Sequence, residues 1–352
     1  MAEEKKAKRN IGLDTLRILS MIMILFLHIL GKSELLGTEN NSTIYYILYY
    51  IIEALSIVAV NCYVLVSGYF LVKSEFKWKK VLKIYVETLF YSISIFIIVV
   101  VFKREEFTIS ALIKSFFPIL TKEYWFINSY LLMYILSPFI NKMIHTLKQE
   151  EYKKLLIILI IAFSIWSLLP NEYGFDTSSG YGIIWFICLY MIAGYIRLYG
   201  GKNEEKTDNK KYLLIYFVIA LLIACAMIII DKICLILSIH TLRGKFLEYN
   251  NILVLIGSIF IFLYFKNLNI KHKNLSKAIT VIAPLTLAVY LIHEQYLMSK
   301  ILYMDILHVQ ECYHNNYSIF IVIGYVISIF IICIGIEYVR QKVIVFWNRR
   351  KN

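Results

Sequence analysis

Arg17 and His28 lie eleven positions apart within one apolar run, Ile11 to Leu30, and Asp14 sits one turn before the arginine. A helix turns about 100° and rises about 1.5 Å per residue, so the two side chains fall within about 20° of each other and about 16 Å apart along the axis. Ionisable groups are expensive in hydrocarbon. This face should therefore turn toward a protein interior or a wet cavity, which makes it the first place to look for chemistry. An imidazole there suits general acid–base work or a transient acyl carrier. Two plainer readings stay open: Arg17 snorkelling to lipid headgroups, and His28 holding the bundle by an interhelical hydrogen bond.

Further candidates fall elsewhere in the chain. Glu53 and the pair His293-Glu294 are expected at a depth similar to His28, and a carboxylate beside a histidine can hold the ring and favour its charged state. A protonated, hydrogen-bonded Glu53 and a packing role for His293 are equally open. Ser67-Gly68-Tyr69 closes the second apolar run and leads into a lysine cluster that includes Lys79, Lys80 and Lys83. Those lysines suit lipid headgroups or the phosphates of a cytosolic cofactor. Trp125, inside Tyr124-Trp125-Phe126, fits an interfacial aromatic belt and secondarily a sugar-stacking surface. His145 and Glu150 have an acyltransferase-like spacing but the wrong acid, and Leu297 stands where a zinc-protease motif after His293-Glu294 needs a second histidine. No metal site, P-loop, nucleophile elbow or dinucleotide fingerprint is expected.

The elements that must position these residues are membrane spans. Hydrophobic residues make up 60% of 352 positions and mean hydropathy is +0.68, more apolar surface than a soluble core can hide. Apolar stretches run near 11–30, 44–72, 81–102, 124–144, 155–169, 181–198, 212–230, 252–265, 278–297 and 319–339, predicting one all-α bundle of ten transmembrane helices over residues 1–352. The fifth and eighth are the shortest, and Ile233–His240 reads as a separate segment too short to cross. With both termini cytoplasmic, inner segments carry 23 of the 37 Lys and Arg and outer segments 9, as the positive-inside rule requires. The net charge of +13 is thereby assigned to topology and anionic lipid, with no nucleic-acid partner. The basic N-terminus followed by an apolar run resembles a signal peptide, but it lacks a small-residue cleavage site and reads as a retained span. Cys234 and Cys312 fall in expected outer loops with no spacing that requires them to pair.

Four motifs in this order resemble the acyltransferase-3 family of multispanning membrane proteins. They are Leu13-Asp14-x-Leu16-Arg17 followed by ten residues and His28, Ser67-Gly68-Tyr69, Trp125-Phe126, and Tyr290-Leu291-Ile292-His293. The resemblance covers essentially the whole chain. It implies transfer of an acyl group, commonly acetyl, from a cytosolic acyl-CoA to a hydroxyl of a surface glycan or related acceptor. Richness in Ile, Lys and Tyr points to an AT-rich bacterial genome, so the expected location is a bacterial cytoplasmic membrane. Carried over by position, His28 becomes the base or acyl relay and Arg17 a donor-binding or structural partner, with Asp14, Glu53 and His293 in support. Lys79, Lys80 and Lys83 stand where relatives often show arginine, so they would hold donor phosphates as point charges. Ser67, Gly68 and Trp125 are the expected substrate-side residues. The competing reading is a carrier or flippase for a lipid-linked glycan, which would use the same polar interior without acyl-CoA.

Overall fold

The computed structural model describes residues 9–33, 35–36, 43–168, 175, 177–200, 208–237, 244–314 and 317–351, and among these the regular structure is entirely helical. The first helix, α1 (Ile11–Lys32), starts where Asn10 accepts a hydrogen bond from the Leu13 amide, a side-chain cap that satisfies one of the free donors of the first turn. It packs against α2 (Thr43–Ser56), α3 (Ala59–Leu71), α10 (Ile252–Lys266), α11 (Lys273–Ile282), α12 (Thr286–His293) and α14 (Ser318–Lys351). The helix that carries Arg17 and His28 is thus the hub of the bundle. Gly12 makes this possible at one end: a Cβ there would stand 2.0 Å from the Phe265 carbonyl oxygen of α10.

The remaining helices are α4 (Trp78–Phe102), α5 (Ile109–Phe116), α6 (Trp125–Thr146), α7 (Gln149–Ile160), α8 (Ile183–Tyr199), α9 (Asn209–Leu237) and α13 (Tyr296–Lys300). Gly68 of α3 faces the α8 backbone, where a Cβ would lie 3.0 Å from the Tyr190 Cα, so the two helices meet at close range. Tyr124, just before α6, donates to the Leu291 carbonyl at 3.0 Å and ties α6 to α12. Large apolar side chains such as Phe102, Ile236 and Ile331 stand exposed on the outside, the surface that a bilayer would cover.

Among the described residues, seven helical segments are long and apolar enough to cross a membrane, where ten spans are expected from the sequence: Ile11–Lys32, Ile44–Leu71, Trp78–Phe102, Asn209–Cys234, Lys245–Lys266, Lys273–His293 and Ser318–Arg350. The other three expected spans are also helical, but α8 is shorter, α6 is diluted by polar residues such as Asn128, Asn141 and Lys142, and α7 passes into a wide turn at Ile161–Ile165. The second span is broken between Ser56 and Ala59 into α2 and α3. Pro284 sits in the tight turn Ala283–Leu285 that divides α11 from α12, as a residue lacking an amide donor should.

Residues 233–237, read from sequence as a separate short segment, continue α9 instead. Cys234 is therefore a buried thiol within a helix and not an outer-loop residue. The rest of that segment, 238–240, and the Cys312 side chain lie outside the described residues.

Candidate active site

At the far end of α1, His28 Nδ1 lies 2.9 Å from His293 Nε2 and 3.2 Å from Glu294 Oε1. His293 ends α12, is fully buried, and its Nδ1 bonds the Val289 carbonyl one turn earlier. A carbonyl only accepts, so a neutral His293 carries its proton on Nδ1 and offers Nε2 as an acceptor. His28 then donates from Nδ1, and its own Nε2 keeps a lone pair. Glu294 is held in turn by Lys32, whose ammonium lies 2.7 Å from the same Oε1, also bonds Ser299 Oγ, and sits 4.7 Å from the centre of the Tyr303 ring. Glu294 Oε1 is thus shared between the His28 imidazole and the Lys32 ammonium. The donor atoms of His28, His293 and Glu294 lie within 4.8 Å of one another and are of metal-binding types. The Lys32 ammonium on the shared carboxylate oxygen is a fixed positive charge that works against a cation there.

On its other side His28 lines a small cavity of about 20 Å³, walled by Tyr63, Trp125, Phe126, Tyr249 and Tyr290 among others. Trp125 stacks on Tyr249 with ring centres 5.9 Å apart and planes at 19°, and meets the exposed ring of Tyr181 at 4.4 Å. Toward the other end of α1, a cavity of about 180 Å³ shares Tyr63, Phe126 and Leu287 with the first and adds Arg17, Ser67 and Tyr130. Those last three also line a third cavity of about 480 Å³ that opens beside Arg9, Asp14, Lys80 and Arg197. Three cavities sharing walls therefore run along one face of α1 from Arg17 to His28. Asp14 is buried and accepts from Arg9 and from Arg17, the latter at 3.2 Å, and this aims both guanidinium groups at the wide end.

The sequence-derived residues divide between these places. His28 and His293 meet directly; Arg17, Asp14, Ser67 and Lys80 line the wide end or its neck; Trp125 walls the narrow end. Gly68 lies at the α3–α8 contact. Glu53 is buried near enough to Tyr181 and Tyr249 to act on them electrostatically, with Oε2 unpartnered, whereas the carboxylate at His28 is Glu294. Lys79 faces a separate apolar groove with Trp78, Leu82 and Tyr85, and Lys83 lies toward Glu87.

A family model described as an acyltransferase domain matches residues 10–337, nearly the whole chain, and includes every residue of the site. The chain belongs to the acyltransferase-3 family. No curated protein and no solved structure matches it. Three acyltransferase residues of interest escaped the sequence reading as site members. Glu294 was named only as a neighbour of His293, and its adjacency to a histidine at a helix end was the available signal. Tyr63, whose phenol walls both inner cavities, is one of 28 tyrosines and carries no mark in the sequence. Arg197 was recognisable only as one of five basic residues inside apolar spans.

Proposed function

We propose that this acyltransferase moves an acyl group, in the first instance acetyl, from a cytosolic acyl-CoA to a hydroxyl of a cell-surface glycan or related acceptor. The observation that carries the reading is the row of cavities joining the basic mouth at Arg17 and Lys80 to the imidazole of His28. In this reading ten passes of a bacterial cytoplasmic membrane, with both termini inside, put the basic mouth in the cytosol and His28 near the outer face. Donor phosphates rest at the mouth, and the thin pantetheine arm reaches along about 16 Å of α1 to place the thioester beside His28. The acceptor comes from the aromatic side, where Trp125, Tyr181 and Tyr249 offer faces for a sugar ring and Glu53 stands behind them. Membrane lipids are the remaining partner, and no metal is required.

The step balances without a further reactant. His28 Nε2 takes the proton of the acceptor hydroxyl as its oxygen attacks the thioester carbonyl. The imidazolium that forms is stabilised by Glu294 and held through Nδ1 by His293. The carbonyl oxygen gathers charge and is met by the Tyr63 hydroxyl. The C–S bond then breaks and the sulfur leaves with the proton from His28, giving the ester and free coenzyme A. Replacing His28 by Ala should abolish incorporation of labelled acetyl from acetyl-CoA in membrane vesicles while the protein still inserts at normal levels. Mass analysis of surface glycans from cells with wild-type and H28A protein should show loss of one acetyl per modified unit. Unchanged acetylation in H28A cells refutes the assignment.

A further inference from the structure

Arg197 leaves the last turn of α8 beside Tyr69, where the close α3–α8 contact at Gly68 brings the two together. Its Nη1 donates to the Tyr69 hydroxyl at 2.8 Å, and the guanidinium carbon lies 4.6 Å from the centre of that ring. Its Nε is buried with no hydrogen-bond partner. The other arginines set into the bundle are neutralised differently. Arg9 and Arg17 share Asp14, and Arg340 takes Glu337 through two nitrogens with Glu87 close by. Among the described residues, the hydrogen-bond partner of Arg197 is a neutral phenol. A guanidinium with a buried unpartnered N–H is costly, and that cost is relieved if an anion accepts from it.

The surroundings repeat the message. Arg197 lines the 480 Å³ mouth together with Arg9, Arg17 and Lys80, and Asp14 is the acid among the lining residues, leaving three positive charges in excess. A planar fork of donors matches two phosphate oxygens at once, which an ammonium does not. We infer that Arg197 is the main phosphate ligand of this mouth, accepting the pyrophosphate of a nucleotide-linked donor between its free donors and Lys80. This deepens the acyl-CoA reading and rests on it for the identity of the donor, but the phosphate site itself stands on Arg197 and the cavity.

The test uses the full-length purified protein in detergent micelles or nanodiscs, titrated by calorimetry with coenzyme A and, separately, with inorganic pyrophosphate. Arg197→Met should weaken both by about 10- to 100-fold, the loss expected of a charge-assisted phosphate contact. Arg197→Lys, which keeps the charge and loses the fork, should fall between and covers the case of a Met variant that fails to fold. Lys153→Met on exposed α7 removes the same charge elsewhere and should change nothing. Transfer from acetyl-pantetheine, which has no phosphate, should be equally slow in wild type and Arg197→Met. If Arg197→Met and Arg197→Lys bind coenzyme A and pyrophosphate as wild type does, the inference is overturned. If wild type binds pyrophosphate through Arg197 but not coenzyme A, the phosphate site stands and the donor reading falls.

Discussion

Glu294→Gln is the most informative single change, because it keeps the shape of the site and removes only the charge behind the imidazole. Glu294 Oε1 lies 3.2 Å from His28 Nδ1. At an effective dielectric of about 20, a full ion pair at that distance is worth about 5 kcal/mol. Both side chains are about one-fifth exposed and Lys32 sits 2.7 Å from the same oxygen, so much of that attraction is screened or already spent on the ammonium. What remains should resemble a hydrogen bond to a charged group, about 1.5–3 kcal/mol. That stabilisation applies once His28 has taken the acceptor proton, so it belongs to the transition state more than to the bound substrates. Removing it should lower kcat by about 10- to 150-fold and leave the KM for acetyl-CoA within about twofold. Steady-state transfer of radiolabelled acetyl in proteoliposomes reads both constants. A kcat within twofold of wild type would refute the relay, and an unchanged kcat with a raised KM would move Glu294 to donor binding.

Other consequences follow from the same geometry. Tyr63→Phe should lower kcat by about 100-fold or more if the phenol meets the carbonyl oxygen, with stability little changed, measured by the same transfer assay and a melting curve. Leu287→Trp, at the wall shared by the two inner cavities, should stop transfer while calorimetric binding of coenzyme A at the mouth survives. Gly12→Ala should destabilise the bundle by about 1–3 kcal/mol, since its Cβ meets a backbone carbonyl that has no rotamer to change, and a lowered melting temperature in detergent checks it.

The first helix was legible because its signal is local. An uninterrupted apolar run with three ionisable residues on one face fixes both the helix and the side it buries, and α1 carries them as the spacing implied. The lysine run was read as one cluster, but a helix separates adjacent residues by about 100°. Lys80 alone of the three turns to the cavity while Lys79 faces the groove beside Trp78. Convergence between distant segments is not local at all. That α12 brings His293 and Glu294 to His28 depends on the turn at Pro284 and on the Tyr124 bond to Leu291, neither of which changes the hydropathy of any single span. That three of the ten expected spans are shorter, more polar or less regular than the seven long apolar helices among the described residues has the same root: partly buried helices tolerate polar and irregular stretches that lipid-facing ones do not.

The smallness of the chamber beside His28 has a consequence for the cell. A route that joined both compartments with open water would short-circuit the proton gradient of any energised membrane. Here the space left at the imidazole is about 20 Å³, room for about one water molecule, and the rings of Tyr63, Phe126 and Tyr290 surround it. In the proposed reading those rings must part to let the thioester reach the imidazole, so the passage stands narrowed to a single water between turnovers. The enzyme would thus export chemical groups without becoming a leak.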